Sequence, residues 1–177
     1  GYIALESAIA TGAEAVIIKE IQHDEAAIIK RFAKLREEGK RSFIVVVSEG
    51  MAGYGEGFTA RLEEATGIES RFARFAHVVR GGSPSVSDRV LATQMGAKAV
   101  ELLLAGKSNL VVCKRDDKIV SEDIAYALTV DRMFKGKLKD GDLDGFSDEQ
   151  IENMKALCAQ RTKEMRALYD IACKMGK

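Results

Sequence analysis

Residues 42–50, "SFIVVVSEG", decide the fold class. Phe43 to Val47 is an unbroken apolar run, mostly β-branched and without polar alternation, which is the pattern of a strand buried on both faces in a parallel sheet. Its carboxyl end delivers Ser48, Glu49 and Gly50, and the carboxyl ends of such strands are where open α/β sheets take their ligands. Glu49 is therefore a candidate ligand-facing carboxylate. A cap on a neighbouring helix or a lysine partner would explain it equally well.

Working outward, residues 2–11 have helical spacing and stop at Gly12, a natural helix end. "AEAVIIKE" reads as a second short buried strand. Residues 24–38 read as a helix with Ile28, Ile29, Phe32 and Leu35 on one side, closing at Gly39. Past the central strand, "GMAGYGEG" lacks both the glycine spacing and the Lys-Ser/Thr of a nucleotide loop and reads as a flexible turn, followed by a helix over 56–66. The pattern predicts a further strand over 72–79. A long helix capped by Ser85 or Ser87 then runs to Gly106, with Val90, Leu91, Met95, Ala99 and Leu102 to Leu104 on its buried side. "NLVVCK" and "KIVS" read as strands and "EDIAYALTVDRMF" as a helix. From Ser147 the stripe Ile151, Met154, Leu157, Met165, Leu168, Ile171 and Met175 defines a terminal helix. This alternation predicts an α/β fold with a largely parallel sheet flanked by helices.

The second informative stretch is "FAHVVRGGSPSVSDRVL", residues 75–91. Gly81 and Gly82 let backbone approach a ligand, the Arg80 guanidinium can grip a phosphate through two parallel hydrogen bonds, and the helix that follows adds free N–H groups at the positive end of its dipole. His77 stands three residues earlier and can donate to the same anion. Arg71, Arg74 and Arg89 lie nearby in sequence. Taken singly, His77 reads as an ordinary core or surface histidine and Arg80 as a solvated turn residue; His23, just before a helix, reads as an exposed residue.

The totals exclude several classes. The 177 residues are 46% hydrophobic and carry 27 basic against 27 acidic groups, so no global basic field points to nucleic acid. Cys113, Cys158 and Cys173 fit neither a zinc site nor a disulfide framework and are expected as reduced, buried thiols. No apolar run approaches bilayer length and the first residues lack a signal-peptide pattern, so a cytoplasmic location and no membrane contact are expected.

"VVVSEG" followed by "LEEATGIESRFARFAHVVRGGSPSVSDRVLATQMGAKAVELLLAGK" resembles the carboxyl-terminal part of the 6-phosphofructokinase family, in order from residue 1 to about 135. The specific element is His-x-x-Arg-Gly-Gly-Ser-Pro with a following Asp-Arg, here His77, Arg80, Gly81, Gly82, Ser83, Pro84, Asp88 and Arg89. The resemblance implies a partial phosphofructokinase fold: a sugar-phosphate lobe over 1–79, a segment over 80–135 returning to a donor-binding lobe, and a helical extension over 136–177. It implies that Glu49 bonds a hydroxyl of fructose 6-phosphate, that His77 and Arg80 hold the 6-phosphate, and that Arg71 reaches the site of an adjacent subunit in a homo-oligomer.

Phosphorylation of C1 in glycolysis, with ATP or pyrophosphate and Mg2+, would be the activity of the parent enzyme. The family's glycine-rich donor loops and its Thr-x-Asp-x-Asp catalytic segment have no counterpart among these residues, so the chain alone is expected to be inactive. A non-catalytic sugar-phosphate-binding regulatory module is the alternative. Glu20, Lys40 and Arg41 match an effector site, although Ser42 stands where regulated members often have histidine. Ala76 and Val79 replace residues that are commonly glycine and glutamine in ATP-using bacterial members. The helix from Ser85 to Gly106 belongs with the donor-binding lobe, so part of its apolar face is expected to lack a partner and to drive association.

Overall fold

The computed structural model describes residues 1–175. It divides into two compact units, one comprising Gly1–Arg74 with the chain from Gln160 on, the other Phe75–Ala159.

The first unit opens with α1 (Tyr2–Thr11), which stops at Gly12 in a left-handed conformation, φ 65°. The Gly12 and Ala13 N–H groups return to the carbonyls of Ile9 and Ala8, and this closes the helix end. Next come β1 (Ala15–Ile17) and α2 (Glu25–Glu37), where Asp24 accepts from the Ala27 N–H as an N-cap. β2 (Val45–Val47) pairs in parallel with β1, Ala15 opposite Val45 and Ile17 opposite Val47. α3 (Tyr54–Thr66) follows and ends at Gly67, φ 63°.

Between the strand pair and the helices lies a core of Ala15, Ile17, Phe32, Phe58 and Leu62, with Phe43 stacked on Phe32 at 5.1 Å. Phe32 and Ile17 are fully buried, and each removes from water enough apolar area to stabilise the fold by about 2–3 kcal/mol. Phe43, Val45 and Val47 of the apolar run pack on this core, but β2 is half-buried rather than buried on both faces, Ile44 is exposed, and the regular pairing is confined to three residues.

A further difference from the sequence reading spans the end of the first unit's residues at Arg74 and the start of the second's at Phe75. No strand forms over 72–79; the chain there is irregular up to a 3-10 turn at Ala76–Val79, whose residues are all exposed. Alternating side chains alone could not make a strand without a neighbour to pair with. α4 (Val86–Leu104) then begins on a capping box, the Ser85 hydroxyl accepting from the Asp88 N–H while the Asp88 carboxylate accepts from the Ser85 N–H at 2.9 Å. β3 (Leu110–Arg115) and β4 (Lys118–Asp123) form an antiparallel hairpin, turned by Asp116 and Asp117 at φ 47° and 59°. The parallel pairing expected from the sequence is thus confined to β1 and β2. α5 (Ile124–Phe134) is capped by Asp123.

α6 (Asp148–Met175) opens on a reciprocal pair in which Gln150 N–H donates to the Ser147 hydroxyl and Ser147 N–H to the Gln150 side chain. Met154 of the expected apolar stripe is buried in the second unit and Met165 in the first, whereas Ile171 and Met175 are exposed. In the first unit Tyr2 of α1 brings its hydroxyl within 3.3 Å of the Glu164 carboxylate on α6.

α4 departs most from its expected burial. Leu102 is buried, and Leu91, Met95 and Ala99 are half-buried, but Val90, Leu103 and Leu104 are exposed together with Val86 and Val100. The exposed apolar part of α4 is thus wider than the sequence pattern indicated. The three cysteines are half-buried rather than buried, and the Cys158 thiol lies 3.7 Å from the Val130 carbonyl.

Candidate functional site

Glu49 stands two residues past the end of β2, where the sequence placed it, and is exposed. Its predecessor Ser48 is buried and donates its N–H to the Ile17 carbonyl at 2.8 Å, so the parallel pairing holds the backbone up to the edge of the loop. The Ser48 hydroxyl is buried with no hydrogen-bonding partner among the described residues. Beyond Glu49, the N–H of Met51 returns to the Ser48 carbonyl and that of Tyr54 to the Met51 carbonyl, both at 3.0 Å, and Gly53 takes φ 75° to start α3. The segment read as a flexible turn is a closed, bonded loop.

Arg71 belongs to the same unit. Its guanidinium lies 2.9 Å from Glu69, and both side chains are largely in solvent. That pair is therefore weak and leaves the arginine available to a stronger anion.

His77 and Arg80 belong to the second unit. His77 lies inside the 3-10 turn and its carbonyl accepts the Arg80 N–H at 3.0 Å, which ties the two residues to one local geometry. Arg80 is extended, Gly81 turns at φ 78°, and the chain then enters the capped start of α4. The capping box satisfies Ser85 and Asp88; the amides of Val86 and Ser87 are helix-terminal donors. A guanidinium, an imidazole and a helix start within a dozen residues can receive a phosphate dianion. Ala76, immediately before His77, adopts φ 44°, a left-handed conformation that costs a side-chain-bearing residue about 1–2 kcal/mol.

The expected effector residues are partly engaged. Lys40 lies 2.6 Å from the buried Glu14, Glu20 lies 3.3 Å from the amino group of Gly1, and Arg41 is exposed.

The sequence reading missed a cluster beside the Glu49 loop. Tyr54 donates its phenol proton to Glu25 at 2.5 Å, and the His23 Nε2 lies 2.8 Å from the same phenol oxygen. Arg61 grips Glu25 through two hydrogen bonds of 2.6 and 2.8 Å, with its guanidinium 5.7 Å from the centre of the Tyr54 ring. The Arg61 hydrogen bonds, aided by Tyr54, outweigh desolvation and hold the Glu25 carboxyl down at about 2, while burial and Glu25 push the Tyr54 phenol upward. His23 is thus half-buried and bonded rather than an exposed residue. Contacts between residues 29 to 36 apart leave no periodic trace, so no local signal could have announced them.

Among the described residues no three His, Cys, Asp or Glu side chains come together to hold a metal ion, and no helix is long and apolar enough to cross a membrane.

A parallel strand pair flanked by helices in one unit, and an Arg-Gly-Gly turn opening a helix in the other, define an α/β protein. Comparison makes the class specific, since the phosphofructokinase family model matches residues 1–103. The chain belongs to the phosphofructokinase family. It is 44% identical over 140 residues to the ATP-dependent 6-phosphofructokinase of Clostridium acetobutylicum and 42% identical over 140 residues to that of Clostridium novyi. Each match covers 79% of this chain and 44% of the relative, so the chain spans less than half the length of these enzymes. In fold it is similar to phosphofructokinase of Pichia pastoris in the T-state, with TM-score 0.63 and 24% identity, over 88% of this chain and 20% of the other.

Proposed function

We propose that this chain is the fructose-6-phosphate-binding portion of a phosphofructokinase that phosphorylates C1 of the sugar. The observation that carries the reading is the His77–Arg80 turn, bonded to itself and leading directly into the capped start of α4, within the stretch that the family model matches. In this reading Arg80 and His77 bind the 6-phosphate, and Glu49 accepts a hydrogen bond from a sugar hydroxyl. Arg71 serves the site of a second subunit in a homo-oligomer. Residues 1–79 form the sugar-phosphate lobe, 80–135 return to a donor-binding lobe, and 136–177 are an extension.

The chemistry assigned to these residues is acceptor positioning. Phosphoryl transfer is catalysed almost wholly by alignment and charge stabilisation, so a fixed sugar phosphate is half of the task. The donor is ATP, as the names of the relatives support, and its Mg2+ would neutralise phosphate charge. The described residues offer no three-ligand cluster for that ion, and none of them is assigned to it. By itself the chain should bind fructose 6-phosphate without turning it over. Any effector anion at Glu20, Lys40 and Arg41 must compete with Glu14 for Lys40.

The test is a titration of the 15N-labelled chain with fructose 6-phosphate and with fructose. Saturable shifts at Glu49, His77 and Arg80 with the phosphorylated sugar, and none with fructose at the same concentration, support the reading. Identical responses to both sugars, or none to either, contradict it.

A further inference from the structure

We infer that Tyr54, held by His23, Glu25 and Arg61, is a positioning residue that fixes the loop carrying Glu49 and thereby sets the affinity for the sugar part of the ligand. This rests on the reading of Glu49 as the acceptor for a sugar hydroxyl.

The loop from Ser48 to Tyr54 contains Gly50, Ala52 and Gly53, residues that give a backbone freedom and offer few side-chain contacts. Glu49 is exposed, so its placement depends on the backbone bonds inside the loop, Met51 to Ser48 and Tyr54 to Met51, and on how the two ends of the loop are tied. One end is tied by the Ser48 N–H to Ile17 of β1. The other end is Tyr54, the first residue of α3.

Tyr54 is anchored in three directions. Its ring stacks on Phe58 at 5.7 Å and meets the His23 ring edge-on at 5.2 Å. Its single phenol proton goes to Glu25, so the oxygen is left to accept from His23 Nε2–H. Glu25 in turn cannot swing away, because Arg61 holds it with a two-pronged grip and all four groups satisfy one another. The turn before α2, the first turn of α2 and the first turns of α3 are thereby joined through one oxygen. Hydrogen bonds to a charged partner are the stronger kind, and networks of them fix a single arrangement.

Loss of the phenol oxygen keeps the stacked ring and the Tyr54–Met51 backbone bond but removes the tie to His23 and Glu25, so the far end of the loop loosens and Glu49 samples positions that miss the hydroxyl. His77 and Arg80 are outside the hydrogen bonds that hold Tyr54. The consequence is selective: the affinity for the phosphorylated sugar falls while the affinity for phosphate alone does not.

The experiment compares dissociation constants for fructose 6-phosphate and for inorganic phosphate, by 15N chemical-shift titration, in the unaltered chain, in Tyr54→Phe and in Arg61→Lys. The second variant keeps the charge on Glu25 and loses the two-pronged grip, and it gives the same readout should Tyr54→Phe fold poorly. The expected result is a rise on the order of tenfold in the fructose 6-phosphate constant for Tyr54→Phe, a smaller rise for Arg61→Lys, and unchanged inorganic phosphate constants. Unaltered sugar-phosphate affinity in both variants overturns the positioning role, as does an equal loss for both ligands, which would signal general damage. Failure of the unaltered chain to respond to fructose 6-phosphate, while inorganic phosphate still binds, overturns the reading of Glu49 and this inference with it.

Discussion

The Lys40 ammonium lies 2.6 Å from the Glu14 carboxylate, which is buried at the entry to β1 and whose second oxygen accepts the Ile44 N–H at 2.5 Å. Burial pushes the Glu14 carboxyl up, but Lys40 and the backbone N–H groups outweigh it and hold the group below its ordinary value. Lys40→Ala leaves a buried carboxylate without its counter-charge. Because Lys40 is itself partly in solvent, the expected loss is about 2 kcal/mol rather than the larger cost of a fully buried pair. Urea unfolding of Lys40→Ala measures this, and the further change Glu14→Gln should restore part of the stability. A loss of effector response in the single variant would therefore have to be corrected for weakened folding.

Acid should strip out the Glu25 cluster. The Glu25 carboxyl is depressed from an ordinary value of 4.5 to about 2 in the folded chain. A depressed acid contributes stability that is complete above the unfolded value and declines as pH falls from there through the folded one. Thermal unfolding between pH 5 and roughly 2 should thus fall less steeply in Glu25→Gln than in the unaltered chain. Parallel curves would deny the cluster its electrostatic contribution.

At Ala76 the left-handed backbone, φ 44°, makes a side chain a cost. Ala76→Gly removes it and should raise unfolding free energy by about 1 kcal/mol, against the destabilisation that Ala→Gly produces in a helix. Destabilisation in urea would show that the turn does not hold this conformation in solution.

The face of α4 that carries Val86, Val90, Val100 and Leu104 is uncharged and exposed. Such a stripe, spaced at turns of a helix, favours association of the chain through that face. At micromolar concentration the chain should sediment above monomer mass, and Val90→Lys with Leu104→Lys should return it to monomer. A monomer in the unaltered chain would contradict this.

Legibility in the sequence followed the range of the forces involved. Elements settled by local chemistry were readable: the Gly12 stop of α1, the cap of α4 narrowed to Ser85 or Ser87, and the apolar run of β2. Residues 72–79 were not, because a strand needs an edge to pair with and that need is invisible in the stretch itself. The burial of α4 was misjudged in part, since an apolar position declares only that it prefers a partner. At the candidate site, Glu49, Arg71, His77 and Arg80 came from strand-end position and family motif. The Tyr54 cluster, assembled from residues far apart in sequence, became visible only with coordinates.

The central claim is that Arg80 supplies the phosphate grip and Glu49 the sugar contact. Calorimetric or NMR titration of fructose 6-phosphate into the unaltered chain, Arg80→Ala and Glu49→Gln tests it most directly. The account predicts that Arg80→Ala loses binding of both the sugar phosphate and inorganic phosphate, while Glu49→Gln weakens the sugar phosphate alone. Undiminished fructose 6-phosphate binding by Arg80→Ala would contradict it.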